Sequence, residues 1–165
     1  MMKRNNFPFS AVLGLNHAKT AILVVLVNPR AGGLLISGPR GIGKSTLMRS
    51  TQELIERPWR DIPVSITEDR LFGTIDTEKA IYSGQKKLYP GIINEADQAV
   101  LYLDDVNLLR EDLLDSILDI AEVGMYQLER DGLSLRCDTS FTVIAAINPE
   151  SGMLSGACLD QFGLF

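Results

Sequence analysis

The apolar residues of this chain fall into two kinds of run, short unbroken ones and longer ones spaced like a helix. Between residues 10 and 27, Val12, Leu15, Ile22, Leu23 and Leu26 recur at near-helical spacing and predict a helix. Asn28-Pro29-Arg30-Ala31-Gly32-Gly33 then breaks the pattern. Leu34-Leu35-Ile36-Ser37 is short, apolar and followed by glycine and proline, which predicts a buried strand. Lys44 to Glu56 reads as a helix that stops before Pro58. Val64-Ser65-Ile66 suggests a short strand, and short helices are expected near 77–83 and 91–98. Ala99 to Leu103 is a second buried strand ending in two aspartates. Glu111 to Val123 places Leu113, Leu114, Ile117, Leu118 and Ala121 on one helical face, with Gly124 as the stop. Tyr126 to Arg130 and Leu133 to Arg136 flank Asp131-Gly132, a hairpin signal because a type I′ turn needs positive φ at both turn positions. Phe141 to Ile147 is a third buried strand, ending at Asn148-Pro149. Apolar strands alternating with helices predict an α/β fold with a mainly parallel sheet covered on both faces.

Composition narrows the class. The chain has 165 residues, 45% of them hydrophobic and 22% charged, as in a folded domain rather than a disordered tail. No internal repeat or low-complexity linker divides it, so one domain over residues 1–165 is expected. Its net charge of −5 argues against a general nucleic-acid partner, which needs a basic face. The longest apolar run, Ala21 to Val27, is far shorter than a membrane span, and no signal-peptide core follows the first residues. No membrane partner is expected. Cys137 and Cys158 form no CxxC pair and only one histidine is present, so neither zinc ligation nor a disulfide framework is indicated. A reducing, cytoplasmic setting is the expectation.

The chemistry begins at Gly38-Pro39-Arg40-Gly41-Ile42-Gly43-Lys44-Ser45, which fits G-x-x-x-x-G-K-[ST] in full and continues into Thr46. Glycines let the backbone curl so that successive N–H groups face a phosphate. Lys44 is the charge for the β- and γ-phosphates, and the Ser45 hydroxyl is a Mg²⁺ ligand. The following helix turns its positive end toward the anion. A chance glycine-rich turn is the bland alternative, but strand, loop and helix stand here in register. ATP and Mg²⁺ are therefore the expected ligands of residues 38–46.

Two further places bear on catalysis. Val100-Leu101-Tyr102-Leu103-Asp104-Asp105 is an apolar strand followed by acids, the pattern of a metal-holding carboxylate. Asp104 is the candidate Mg²⁺ residue, acting through a water, and Asp105 the candidate that orients the attacking water. A terminal acid that merely caps the next helix is the competing reading. Asn148 stands where open α/β sheets bind ligands, ready to bond a γ-phosphate or the attacking water, or else simply a turn residue before Pro149.

Together these residues resemble the AAA+ ATPases, and within them the magnesium chelatase subunit I family. The stretch Thr67-Glu68-Asp69-Arg70-Leu71-Phe72-Gly73-Thr74-Ile75-Asp76 carries the family resemblance most specifically. Phe7 to Gly14, Asn28 to Gly33, Pro90-Gly91-Ile92-Ile93, Leu103-Asp104-Asp105-Val106-Asn107-Leu108-Leu109 and Ala146-Ile147-Asn148-Pro149-Glu150 are also similar. The resemblance implies a P-loop NTPase core of three α/β/α layers with a β-hairpin insertion. It implies a homo-oligomeric ring in the full-length form and ATP hydrolysis that drives metal insertion into a tetrapyrrole. The implied partners are a D-type AAA+/integrin-like subunit and a tetrapyrrole-binding catalytic subunit. Lys44, Ser45, Asp104 and Asn148 carry over as nucleotide-site residues, Asn148 as the sensor-1 asparagine.

Three departures from the family pattern follow. The family has Asp-Glu where this chain has Asp104-Asp105, one methylene shorter at the second acid. It has Leu-Asp-Arg-Phe-Gly where this chain reads Leu159-Asp160-Gln161-Phe162-Gly163, so the arginine offered to a neighbouring subunit is replaced by an uncharged amide. The family's helical lid and sensor-2 arginine lie beyond Phe165, so an incomplete core is expected. Two other readings stand beside a chelatase motor: a nucleotide-binding structural ring subunit with little hydrolysis, and a MoxR-like AAA+ ATPase that remodels metalloproteins.

Overall fold

The structure is a computed structural model in which residues 7–75, 88–130 and 133–165 are described. Its helices are α1 (Asn16–Val27), α2 (Lys44–Thr51), α3 (Glu68–Phe72), α4 (Ile92–Glu95), α5 (Glu111–Val123) and α6 (Gly156–Asp160). Its strands are β1 (Leu34–Ser37), β2 (Trp59–Ile62), β3 (Gly73–Ile75), β4 (Leu88–Pro90), β5 (Val100–Leu103), β6 (Met125–Arg130), β7 (Leu133–Asp138) and β8 (Thr142–Ile147). The central sheet has the order β1-β8-β5-β2 and is parallel throughout.

Alternation along the strands divides the core into two layers. Leu35, Leu101, Leu103, Val143, Ala145 and Ile147 face a cluster built with α5, α3 and α4. Leu34, Ile36, Val100, Tyr102, Ile144 and Ala146 face the other way, onto Ile22 and Val25 of α1 and Leu47 and Met48 of α2. This is the expected three-layer α/β/α arrangement, and the unbroken apolar runs of β5 and β8 reflect burial on both faces. Each fully buried Leu or Ile contributes about 1.5–3 kcal/mol relative to exposure.

Several elements differ from the sequence expectation. The first helix begins at Asn16, because Gly14 and Leu15 both take positive φ, +73° and +52°, which ends any helix through them. Residues Phe9–Ala11 form a separate 3₁₀ turn. The helix after the phosphate loop stops at Thr51 and tightens into a 3₁₀ turn over Gln52–Leu54. Ser50 and Thr51 hydroxyls both donate to the Leu47 carbonyl and so compete with the backbone ladder. The strand expected at 64–66 lies instead at Trp59–Ile62, since Pro63 supplies no N–H and starts a turn closed by the Ile66 N–H. The helix expected over 91–98 covers only Ile92–Glu95 and is followed by Gln98 at φ +59°. The helix expected at 77–83 lies outside the described residues.

The hairpin is present and longer than expected, β6 pairing antiparallel with β7 from Met125↔Asp138 to Arg130↔Leu133. Its turn, Asp131-Gly132, lies outside the described residues. A small antiparallel pair, β3 with β4, was not foreseen. Among the described residues no helical lid follows α6. The Leu164 N–H and C=O bond to Gly33 and Leu35, which places Leu164 as a parallel bridge beside β1. No helix among the described residues is long and apolar enough to cross a membrane.

Candidate functional site

The strand order brings the three marked segments to one edge. β8 lies between β1 and β5, with Ser37 beside Ile147 and Ala145 beside Leu103. The phosphate loop, Asp104-Asp105 and Asn148 thus leave adjacent strands at their C-terminal ends, where open α/β sheets form crevices. The Gly38 N–H donates to the Ile147 carbonyl at 3.2 Å and ties the loop's start to β8.

The loop is shaped by its glycines. Gly41 and Gly43 have φ of +84° and +95°, and Gly43 is the cap of α2. A Cβ on Gly38 would stand 2.4 Å from the Ile42 Cδ1, so the end of the exposed Ile42 side chain folds over the bare glycine. Pro39 and Arg40 are exposed, as are Ile42 and Thr46. Lys44 is buried, an uncommon state for a lysine, and its Nζ donates to the Gly38 carbonyl and to the Pro39 carbonyl, the latter at 2.9 Å. These carbonyls take two of the ammonium's three donors, and phosphate oxygens are acceptors of the same kind.

The Ser45 hydroxyl donates to Asp104 Oδ2 at 3.0 Å, across from α2 to the end of β5. The Asp105 N–H donates to Asp104 Oδ1 at 3.2 Å. Both carboxylate oxygens are therefore held. Asp105 sits at φ +48°, a left-handed conformation that aspartate tolerates better than most residues. Its Oδ2 lies 3.8 Å from Arg40 Nη2 in the phosphate loop. Arg40 is largely exposed and the separation is long for an ion pair, so the contact contributes little to stability.

Hard oxygen donors suit Mg²⁺. Among the described residues no group of three or more His, Cys, Asp or Glu gathers to hold a metal alone. The donor set of Ser45 and Asp104 fits the usual Mg²⁺ arrangement, in which one or two protein oxygens are completed by water and phosphate.

Asn148 is buried at the end of β8. Its Oδ1 accepts from the Glu150 N–H at 3.2 Å, and its Nδ2 donates to the Ser151 hydroxyl at 3.1 Å. It caps the 3₁₀ turn Pro149–Ser151, so the turn role is realised in this structure at the place expected of a ligand-sensing amide.

Sequence reasoning passed over three features. Leu15 reaches the loop: a Cβ on Gly43 would sit 4.0 Å from Leu15 Cδ1. The segment carrying it is anchored by Lys19, which donates to the Val12 carbonyl and stands over the Phe9 ring. Gly14 was the available signal, submerged in a helical pattern. Tyr102 is buried on the α2 face of β5 with no hydrogen-bond partner for its hydroxyl, and the amide of Asn107 is likewise buried and unpartnered. Their neighbours in space are not visible from spacing alone.

Residues 33–161 match the AAA domain family, dynein-related subfamily. The chain is 37% identical over 184 residues to the magnesium-chelatase subunit ChlI of Olisthodiscus luteus, covering 96% of this chain and 55% of that protein. It is 36% identical over 191 residues to the magnesium-chelatase 38 kDa subunit of Cereibacter sphaeroides, covering 96% of this chain and 57% of the relative. A chain of the BchI–BchD complex of magnesium chelatase, built on a cryo-EM reconstruction at 7.5 Å, superposes with a TM-score of 0.84 at 35% identity. That match covers 97% of this chain and 60% of the other. The chain thus spans a little over half the length of these relatives.

Proposed function

Since the chain belongs to the AAA domains of the dynein-related subfamily, we propose that it binds Mg-ATP on residues 38–46 and hydrolyses it as a chelatase-type motor subunit. The observation that carries this is the Ser45–Asp104 hydrogen bond of 3.0 Å beside a buried Lys44. It joins the two halves of a metal-nucleotide site from residues far apart in sequence.

Each residue has a task. Loop N–H groups and Lys44 bind the β- and γ-phosphates, Lys44 exchanging carbonyl acceptors for phosphate oxygens. Ser45 and Asp104 hold Mg²⁺, Asp104 from a fixed rotamer. When bound, Mg²⁺ neutralises charge that develops on the phosphoryl oxygens. Asp105 orients the attacking water, and Asn148 senses the γ-phosphate by giving up its bonds to the Pro149–Ser151 turn. The relatives' names support the chelatase reading over a MoxR-like one. In that reading the full-length protein forms a cytoplasmic homo-oligomeric ring. Its turnover drives metal insertion into a tetrapyrrole through a D-type subunit and a tetrapyrrole-binding subunit.

Two observations favour the second reading, a nucleotide-holding ring subunit with little hydrolysis. Asp105 is short for its task and is drawn toward Arg40, while position 161 carries an amide. Calorimetric titration with ADP and ATP in Mg²⁺ tests the binding site itself. Lys44→Ala is expected to remove most of the affinity, on the order of tenfold or more for a lost charge-assisted bond. Equal affinity in the variant would sink the assignment. Phosphate release by the wild-type ring then separates motor from structural subunit.

A further inference from the structure

Tyr102 is the one residue of β5 whose polar group is buried without a partner. Its ring is 6% exposed and packs on Trp59 with centroids 5.8 Å apart, which fixes the direction of the phenol. Tyr102 and Asp104 are two residues apart and leave β5 on the same side. That side faces α2, where Ser45 reaches Asp104. The hydroxyl therefore points along the strand toward the Ser45–Asp104 pair but falls short of hydrogen-bond geometry with either. Burial comes first in raising the pKa of the phenol, then the charge of Asp104 and the reach of the hydroxyl toward its carboxylate, while its reach toward Ser45 lowers it. It is a donor at every physiological pH.

A buried hydroxyl with no partner is destabilising, and phenylalanine would fill the same space without that cost. The hydroxyl therefore needs a state of the protein in which it is bonded. In this structure the two Asp104 oxygens are each engaged by one donor, Ser45 Oγ on Oδ2 and the Asp105 N–H on Oδ1. Each oxygen has a second lone pair free. A cation that took a lone pair of Ser45 Oγ would leave its O–H on Asp104 Oδ2, so the remaining lone pairs of Asp104 are where a further donor would fix the carboxylate against the pull of the metal.

We propose that Tyr102 is a positioning residue of the metal site, its hydroxyl donating to Asp104 in the Mg-nucleotide state and holding the carboxylate toward the cation. This rests on the Mg-nucleotide reading of the site. The role resembles that of the outer partners that orient metal ligands elsewhere, whose loss costs about 10–100-fold in affinity when they act on a directly bound ligand. Through an aspartate that acts by way of water the effect is smaller, about three- to tenfold.

The test is ADP binding by the full chain, measured with Mg²⁺ and with EDTA, in wild type, Tyr102→Phe, Asp104→Asn and the double variant. Tyr102→Phe should leave metal-free affinity within about twofold, and should cut the gain in affinity from Mg²⁺ by about three- to tenfold. On the Asp104→Asn background the same substitution should change that gain no further, because its target is gone. The melting temperature of the nucleotide-free Tyr102→Phe protein should be unchanged or higher, since an orphaned polar atom has been removed. An undiminished Mg²⁺ gain in Tyr102→Phe overturns the proposal. So does an equal loss with and without metal, which marks a packing role only. If wild type binds no ADP in either condition, the nucleotide reading itself falls, and this inference with it.

Discussion

At the scale of single residues, the proposed hydrolysis turns on Asp105. Its left-handed backbone aims the carboxylate at Arg40 rather than at the Ser45–Asp104 pair, although its own N–H is bonded to Asp104. An aspartate reaches about an ångström less far than the glutamate of the family pattern, and misplacement of that size can cost on the order of 10²-fold in rate. Against this stands the backbone: φ of +48° suits aspartate, and a longer side chain there loses up to about 1–2 kcal/mol. That cost falls on folding, whereas the reach acts in the transition state, so the kinetic effect should prevail in a folded protein. Asp105→Glu is expected to raise steady-state phosphate release by about tenfold, and Asp105→Asn to lower it, with nucleotide affinity nearly constant in both. A large fall on Asp105→Glu would show a site tuned to aspartate. Asn148 shows why residue roles are harder to read than motifs. Its place at a strand end was legible, but its bonds to Glu150 and Ser151 arise from a turn whose geometry no spacing rule encodes.

At the scale of elements, legibility followed burial. β1, β5 and β8 are apolar because they are covered on both faces, and each stood out in the sequence. β2 was missed because Arg60 and Asp61 are exposed and no apolar run forms, whereas β1, the sheet's other edge, is buried along Leu34–Ile36. The hairpin was legible from one Asp-Gly pair between alternating strands. The pairing of β3 with β4 was not, since its partners are separated by residues that carry no strand pattern. Gly73 governs that pair. Its φ is +92°, and a Cβ would lie 2.3 Å from the Tyr89 carbonyl and 2.7 Å from the Gly91 nitrogen, both backbone atoms that cannot turn aside. Gly91 opposes it with equally little room. The hairpin leans on the same place, Tyr126 donating its hydroxyl to the Phe72 carbonyl at 3.0 Å with the two rings 5.9 Å apart. Gly73→Ala is thus expected to destabilise the fold by roughly 2–4 kcal/mol, from strain and a backbone clash together. Urea titration reads this directly, and a change below about 0.5 kcal/mol would mean that β3 and β4 part without consequence.

At the scale of the whole molecule, the sheet has two ends with different duties. The C-terminal ends of β1, β8 and β5 hold the phosphate loop, Asp104 and Asn148. The residues after α6 return to the other end. Phe162 is buried, and a Cβ on Gly33 at the start of β1 would stand 3.2 Å from its ring. Gly163 lies so close to Ala31 that a Cβ would meet its carbonyl at 1.8 Å, and Leu164 bridges to Leu34. Gln161, exposed at the end of α6, is held by these neighbours near the start of β1. From Gly33 to Gly38 the chain climbs about 16 Å at strand rise, so a side chain at 161 does not reach its own phosphate loop. A charge there can act only on a second copy. Gln161→Arg should therefore leave folding and nucleotide affinity of the isolated subunit unchanged, because the side chain is exposed and its backbone is fixed by Phe162 and Gly163. In the full-length protein it should raise phosphate release, by as much as the roughly 10³-fold that an arginine supplied in trans contributes in favourable cases. The gain should emerge only above the concentration at which copies assemble, since below it no neighbour receives the charge. Light scattering and phosphate release followed together over a dilution series test this. A gain that persists in monomers would place position 161 within reach of its own nucleotide, contrary to the sheet geometry.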